Sequence, residues 1–260
     1  MICPSGFNCY RKCKKHFQEY DSGVLVNHIS TVQESKKPRF KKFKRYLVNR
    51  KLKINNKINV FYPSVTWPMN NLTSYNFRPS DKIIYDSEKK FLKLLSYINK
   101  RVIFKSYPRR NYIDSNPINE YAKKLDNIKV IEGDFDFRYV NSIGDVFIIT
   151  VLGSTSTLTW MINLGKPIIY LHSNKSEFIS EEALSMVKKF LIFIDRDNYN
   201  WEDNLKNILN KPYNELKKLW EDKKSDRDKY DEEWLTGKNL HAGKLGAKYI
   251  NEFISQNFKK

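Results

Sequence analysis

Glycine and proline are scarce in this sequence, nine of each in 260 residues, which excludes a collagen-like or linker-like chain. No run approaches the ~18 apolar residues that a membrane-spanning helix needs. The opening residues, MICPSGFNCYRKCKKHF, lack the apolar centre of a secretory signal. Cysteine is confined to Cys3, Cys9 and Cys13, an odd number near one end, so no disulfide framework is expected. There is no internal repeat and no low-complexity tract. Acidic residues are absent from 36–53, KKPRFKKFKRYLVNRKLK.

What is present suffices for a packed core. Hydrophobic residues make up 40% of the chain and aromatics 14%, so global disorder is excluded. The net charge is +18, and it is unevenly spread. Residues 1–57 hold 15 basic against 3 acidic side chains, a net of +12. Such an arm attracts phosphates, nucleic acid or an anionic leaflet. Phe40, Phe43 and Leu47 are spaced as on a basic amphipathic helix. The arm carries no Gly-aromatic recognition signature, and no helix-turn-helix pattern follows, so nucleic acid is not the expected partner. We expect a cytoplasmic protein whose residues 36–57 are available for contact with the inner face of a membrane.

Two parts are expected: a basic extension over 1–56 and an α/β domain over 57–260. From Ile58 apolar strands alternate with helical spacing. The strands are read at INVFYP (58–63), RVIFKSYP (101–108), KVIEGD (129–134), DVFIITV (145–151), KPIIYLH (166–172) and LIFIDRD (191–197). Helices are read at 85–100, 116–127, 154–165 and 180–190, with FDFRYVNSIG (135–144) as a short helix or turn. Pro117 and Ser180 suit helix starts, and Gly165 suits a helix end. Residues 200–260 read as helices, broken near Thr236–Lys238 and Gly243–Gly246. Alternation at this spacing predicts an α/β fold: a single Rossmann-like parallel sheet flanked by helices, with a helical C-terminus. Ligands of such sheets bind at the C-terminal ends of the strands.

The most informative stretch is GDVFIITVLGSTSTLTWMINLGKPIIYL. An apolar strand runs into Gly153, and Ser154, Thr155, Ser156 and Thr157 then open a helix. Unpaired N–H groups and the positive end of the dipole at a helix start bind phosphate. Gly153 permits close backbone approach, and the hydroxyls add donors. The plainer reading is that Ser154 and Thr155 only cap the helix.

These residues resemble the C-terminal half of GT-B glycosyltransferases of bacterial surface polysaccharides, among them capsular Kdo transferases and teichoic-acid glycerophosphotransferases. That family has a strand ending in Asp-x-hydrophobic, a Ser/Thr-rich turn, a short helix, and Gly-Lys-Pro before the next strand. A second match is RVIFKSYPRR (101–110), which is similar to the Lys-x-His-Pro segment of teichoic-acid polymerases. Lys105 and Pro108 fit it, and Tyr107 stands where that family has His. The resemblance spans about residues 57–260. It implies half of a GT-B fold, with the donor's phosphates on the hydroxyl turn and Lys105, Arg109 and Arg110 near the same edge. It implies a nucleotide-sugar or CDP-polyol donor as substrate and a glycan or lipid-linked group as acceptor; no cofactor is expected, and the lack of an acidic metal cluster in the sequence makes a metal-independent reaction the expectation. The family's N-terminal Rossmann half is missing from this sequence, which implies either an N-terminally truncated product or a partner chain that supplies it. Trp160 stands where many members place a Glu that bonds the donor ribose.

Other candidates are single residues or short groups. His172 ends a strand and is expected to face the cleft and the donor. Asp134 and Asp136 follow a strand as base or metal ligand, or cap a turn. Trp67, Tyr75 and Arg78 are acceptor contacts or parts of a packed loop. Cys3, Cys9, Cys13 and His16 could hold zinc, but the spacing matches no common finger. Two functions follow: a surface-carbohydrate transferase domain, or a non-catalytic protein that binds a polyanion or a partner.

Overall fold

The structure is a computed structural model, and it describes residues 2–3, 24–25, 58–64, 81–106, 116–132, 137–150, 156–162, 164–175, 181–230 and 242–257. Two compact units are present: Met1–Lys37 together with Lys223–Lys260, and Pro38–Asp222. In the first, β1 (Ile2–Cys3) pairs in parallel with β2 (Val24–Leu25).

The larger unit holds a six-stranded sheet, all parallel. Its strands are β3 (Asn59–Pro63), β4 (Arg101–Lys105), β5 (Ile128–Ile131), β6 (Val146–Ile149), β7 (Ile168–His172) and β8 (Ile192–Asp195). They lie in the order β5-β4-β3-β6-β7-β8. Every residue of β6 and β7 is buried, as expected of parallel strands covered on both faces.

The helices in chain order are α1 (Asp81–Ser96), α2 (Pro117–Lys123), α3 (Phe137–Val140) with a 3-10 turn (Asn141–Ile143), α4 (Ser156–Ile162), α5 (Glu181–Phe190), α6 (Trp201–Asn210) and α7 (Tyr213–Glu221). One face of the sheet packs Val60, Tyr62, Val102, Phe104, Val146, Ile148, Ile169 and Leu171 against α1, α2, α6 and α7. The alternate residues point the other way. There Phe61 and Phe147 meet Phe137 of α3, which stacks on Trp160 of α4, and the Lys188 ammonium of α5 lies 5.0 Å from the Phe193 ring centroid. Right-handed crossovers require this division. The chain moves one way from β3 to β5 and the other way from β6 to β8, so the covering helices change face.

Local chemistry sets several element ends. Asn116 Oδ1 accepts from the Ile118 amide and Pro117 occupies the first turn of α2. Gly165, with φ +63°, follows α4 in the left-handed region that ends helices. Asn127 Nδ2 donates to the carbonyl of Leu95 in the last turn of α1 and to those of Ile98 and Lys100 just beyond it. Lys100 Nζ donates to the carbonyls of Leu209 and Lys211 at the end of α6, and its partial burial lowers its pKa from the ordinary lysine value.

The N-terminal edge of the sheet is fastened by polar groups. Asn59 and Asp145 bond reciprocally: the Asn59 amide donates to Asp145 Oδ2 at 3.0 Å, and the Asp145 amide to Asn59 O at 2.8 Å. Lys166 Nζ donates to Gly144 O and lies 3.8 Å from Asp145 Oδ1. The Asp and the Gly-Lys-Pro lysine of the motif thus meet here, at the N-terminal ends of the strands.

The described strands and helices follow the sequence reading, with shifted ends. α1 starts four residues earlier than expected, because Ile84 already belongs to its buried stripe. In the smaller unit α8 spans Lys224–Tyr230 and α9 spans Ala242–Asn257, so the expected break at Gly243–Gly246 does not occur. A helical glycine costs about 1 kcal/mol but does not forbid the helix. The break expected near Thr236–Lys238, the amphipathic segment 36–57 and the Ser180 cap lie outside the described residues. Among the described residues no helix is long and apolar enough to cross a membrane.

A methyl group at Gly144 would sit 2.7 Å from Phe61 Cβ and 2.8 Å from Phe147 Cζ. Gly144→Ala should therefore destabilise the fold by about 1–3 kcal/mol, the usual cost of overpacking, as measured by urea unfolding. Unchanged stability would show that β3 and β6 are not closely apposed there.

Candidate functional site

Strand order reverses between β3 and β6, where the following helices leave to opposite faces. In open α/β sheets this reversal creates a crevice above the C-terminal strand ends. Buried polar residues gather at that edge. Ser64 follows β3, Lys105 ends β4 with Ser106 after it, Thr150 follows β6, and His172 ends β7 with Ser173 after it; all are at most 8% exposed. A core position would favour apolar groups, and buried polar groups are tolerated where hydrogen bonds satisfy them.

The bonds form three clusters. In the first, Glu88 of α1 accepts from Ser64 Oγ at 2.6 Å and from the Tyr62 hydroxyl at 3.2 Å. Burial, and then the Glu88 charge, push the Tyr62 phenol well above its ordinary value, so it stays a donor. In the second, Lys105 Nζ donates to Ser106 O at 2.8 Å, and Asn119 Nδ2 donates to Ser106 Oγ at 3.3 Å. The third joins β7 to β8. Ser173 Oγ and the Asn174 amide each donate to Asp197 at 2.8 Å, and the Arg196 amide to His172 O at 2.7 Å. The Arg196 guanidinium lies 5.2 Å from the centroid of the Trp201 ring.

His172 is only 1% exposed. Its Nε2 lies 2.9 Å from Asn174 Oδ1 and its Nδ1 2.8 Å from the Tyr170 hydroxyl. The amide oxygen can only accept, which assigns the proton to Nε2 and lets Nδ1 accept from Tyr170. The imidazole thus braces the end of β7 from within.

Of the other sequence candidates, Ser156 and Thr157 open α4. Gly153, Ser154, Thr155, Arg109, Arg110, Asp134, Asp136, Trp67, Tyr75 and Arg78 lie outside the described residues, as do the side chains of Cys3, Cys9, Cys13 and His16. Among the described residues no group of three or more His, Cys, Asp or Glu side chains is arranged to hold a metal ion. Trp160 stacks on Phe137 with ring centroids 6.3 Å apart and planes 16° apart.

The sequence reading missed Ser64, Glu88, Thr150 and Arg196. Glu88 carried a signal: it interrupts the stripe of Ile84, Phe91, Leu92 and Leu95 with a charge. Arg196 directly follows an apolar strand, which puts it at the C-terminal edge of the sheet.

Comparison with solved structures agrees with this architecture. The chain is similar to WaaG, a glycosyltransferase involved in lipopolysaccharide biosynthesis, with a TM-score of 0.52 and 14% identity; the match covers 96% of this chain and 61% of that one. It is also similar to sucrose-phosphate synthase from Thermosynechococcus elongatus, with a TM-score of 0.53 and 12% identity, over 98% of this chain and 58% of that one. Structures of the wall teichoic acid polymerase TagF match at lower TM-scores, 0.48 for one variant at 13% identity. The chain thus spans about three fifths of the length of these proteins. No protein-family model matches the sequence, and no curated protein matches it. The single six-stranded parallel sheet flanked by helices matches a Rossmann-like half of the GT-B fold.

The Asp197 carboxyl is held below its ordinary value, first by the Ser173 hydroxyl bond and then by the Asn174 amide and nearby positive charge, against a smaller opposing effect of burial. A depressed folded pKa gives stability that is present above the unfolded value, about 3.9, and is lost as pH falls through the folded value. Asp197→Ala should therefore be less stable than the wild type at pH 7, and the difference should shrink as pH falls from 7 to about 3, below the unfolded value. Urea unfolding at both pH values checks this; a difference that persists in acid would contradict it.

Proposed function

We propose that this chain is the nucleotide-binding part of a transferase that moves a sugar or polyol phosphate from a nucleotide-activated donor to a cell-surface glycan or lipid-linked acceptor. The observation that supports it best is the row of buried polar groups at the strand-order reversal between β3 and β6. Fold similarity to GT-B enzymes agrees with it but does not select a donor or pathway. In this reading Gly153, Ser154, Thr155, Ser156 and Thr157 receive the donor's phosphates, with Lys105, Arg109 and Arg110 as cations beside them. Fixed donors and cations there would stabilise charge on the leaving nucleotide, which needs no resident cofactor or metal. His172 would act through the brace of β7, or reach the donor if Asn174 turns away. A second Rossmann half, from a partner chain or from further sequence, would hold the acceptor. The basic segment 36–57 would rest on anionic lipid at the inner face of the membrane, which places the protein in the cytoplasm. A capsular or teichoic-acid pathway is the narrower form of this proposal.

A second reading is a non-catalytic polyanion-binding protein on the same fold. Trp160 favours it, because its ring packs on Phe137 where many GT-B enzymes have a ribose-binding carboxylate.

Thermal unfolding with UDP, CDP, GDP, CMP and CDP-glycerol separates the two. One nucleotide should raise the melting temperature, with a stabilisation of about 2.7 kcal/mol at one hundred times its Kd. Thr155→Ala and Arg109→Ala should each weaken that binding about tenfold, the worth of one charge-assisted hydrogen bond. Binding of any polyanion that collapses with salt, without a nucleotide effect, supports the second reading and rejects the first.

A further inference from the structure

Arg196 stands one residue beyond β8, at the C-terminal edge of the sheet. Its backbone is fixed there, because the Arg196 amide donates to His172 O at 2.7 Å, just past the pairing of His172 with Asp195. The side chain is half-buried. Its guanidinium carbon lies over the ring of Trp201, the first residue of α6, 5.2 Å from the centroid. Trp201 packs on Phe91 of α1 with centroids 6.4 Å apart, and Phe91 meets the Tyr62 ring of β3 at 4.9 Å. This row of rings turns the guanidinium from the exit of β8 back along the edge, toward the strands between which the order reverses.

The guanidinium has no internal counter-charge. Among the described residues it makes no hydrogen bond and no ion pair. Carboxylates flank it in the sequence, but they face other groups. Asp195 Oδ1 accepts from the Asp197 amide at 2.9 Å, and Asp197 accepts from Ser173 Oγ and the Asn174 amide. Asp203 in the first turn of α6 lies 3.7 Å from Lys206 Nζ. An arginine fork matches a carboxylate or phosphate through two parallel N–H bonds. Here the Trp201 ring holds the cation in place and leaves the donors of the fork open.

We propose that Arg196 binds a phosphate group of the ligand at this edge, as a cation preset by Trp201. No carboxylate has to be displaced first. A long side chain that is already ordered also loses less freedom on binding, which favours affinity. The source of the phosphate rests on the nucleotide reading above: a nucleotide donor if that reading holds, a free phosphate compound if it does not.

Calorimetric titration of the full chain with UDP, CDP, GDP, CMP, CDP-glycerol and inorganic pyrophosphate tests this. A ligand that binds the wild type should bind Arg196→Ala about tenfold or more weakly, the worth of one charge-assisted hydrogen bond. Arg196→Lys keeps the charge without the fork and should lie between the two. The free variants should melt as the wild type does, since the guanidinium makes no internal bond. A residue that only supported Trp201 would lower the melting temperature and leave affinity unchanged. Affinity equal to wild type in Arg196→Ala overturns the proposal and leaves the nucleotide reading standing. Pyrophosphate binding that depends on Arg196, with no response to any nucleotide, upholds the phosphate site and rejects the nucleotide reading. No response of the wild type to any of these compounds overturns both.

Discussion

Asn59 and Asp145 hold β3 and β6 side by side through two reciprocal backbone and side-chain bonds, and Asn59 Nδ2 adds a third to Ile143 O. The crossover from β5 back to the middle of the sheet ends at this point. Without that docking the chain has two three-stranded halves and no reversal between them. Gly144 makes the approach feasible, since a side chain there would collide with Phe61 and Phe147. Lys166 closes the same corner from the start of β7. The N-terminal edge thus sets which strands are neighbours, and the neighbours set where a crevice can form.

The two edges of the sheet use polar groups differently. At the N-terminal edge, Asn59, Asn127, Lys100 and Lys166 satisfy backbone carbonyls that helices and turns would otherwise leave open. At the C-terminal edge, side chains bond mainly to other side chains: Ser64 and Tyr62 to Glu88, Asn119 to Ser106, Ser173 to Asp197. Bonds between side chains fix orientation without adding to the regular ladders. They are suited to an edge where the chain must hold a shape for something else.

The strands and the α/β class were legible because parallel strands covered on both faces read as continuous apolar runs, as VFII and IIYLH do. Within the stretch from Asp145 to Lys166, Asp145 and Lys166 fasten the entrances of the strands, while Ser156 and Thr157 open α4 beyond the other end of β6. Sequence spacing alone did not separate these roles, because a strand of four residues carries the chain from one edge to the other. His172 shows the same limit. Its place at a strand end was right, and its burial between Tyr170 and Asn174 came from contacts the linear pattern does not contain.

By itself the sequence determined that this chain forms an alternating α/β layer structure, since apolar runs and amphipathic stretches each demand burial on their own faces. It also determined which strand ends carry polar residues. Only the tertiary structure decided that β6 returns beside β3, that Trp160 packs on Phe137, and that Glu88 meets Ser64 and Tyr62. Those outcomes join residues 23 to 86 positions apart, and the energy that selects them comes from shape and charge complementarity that exists only once the layers have packed.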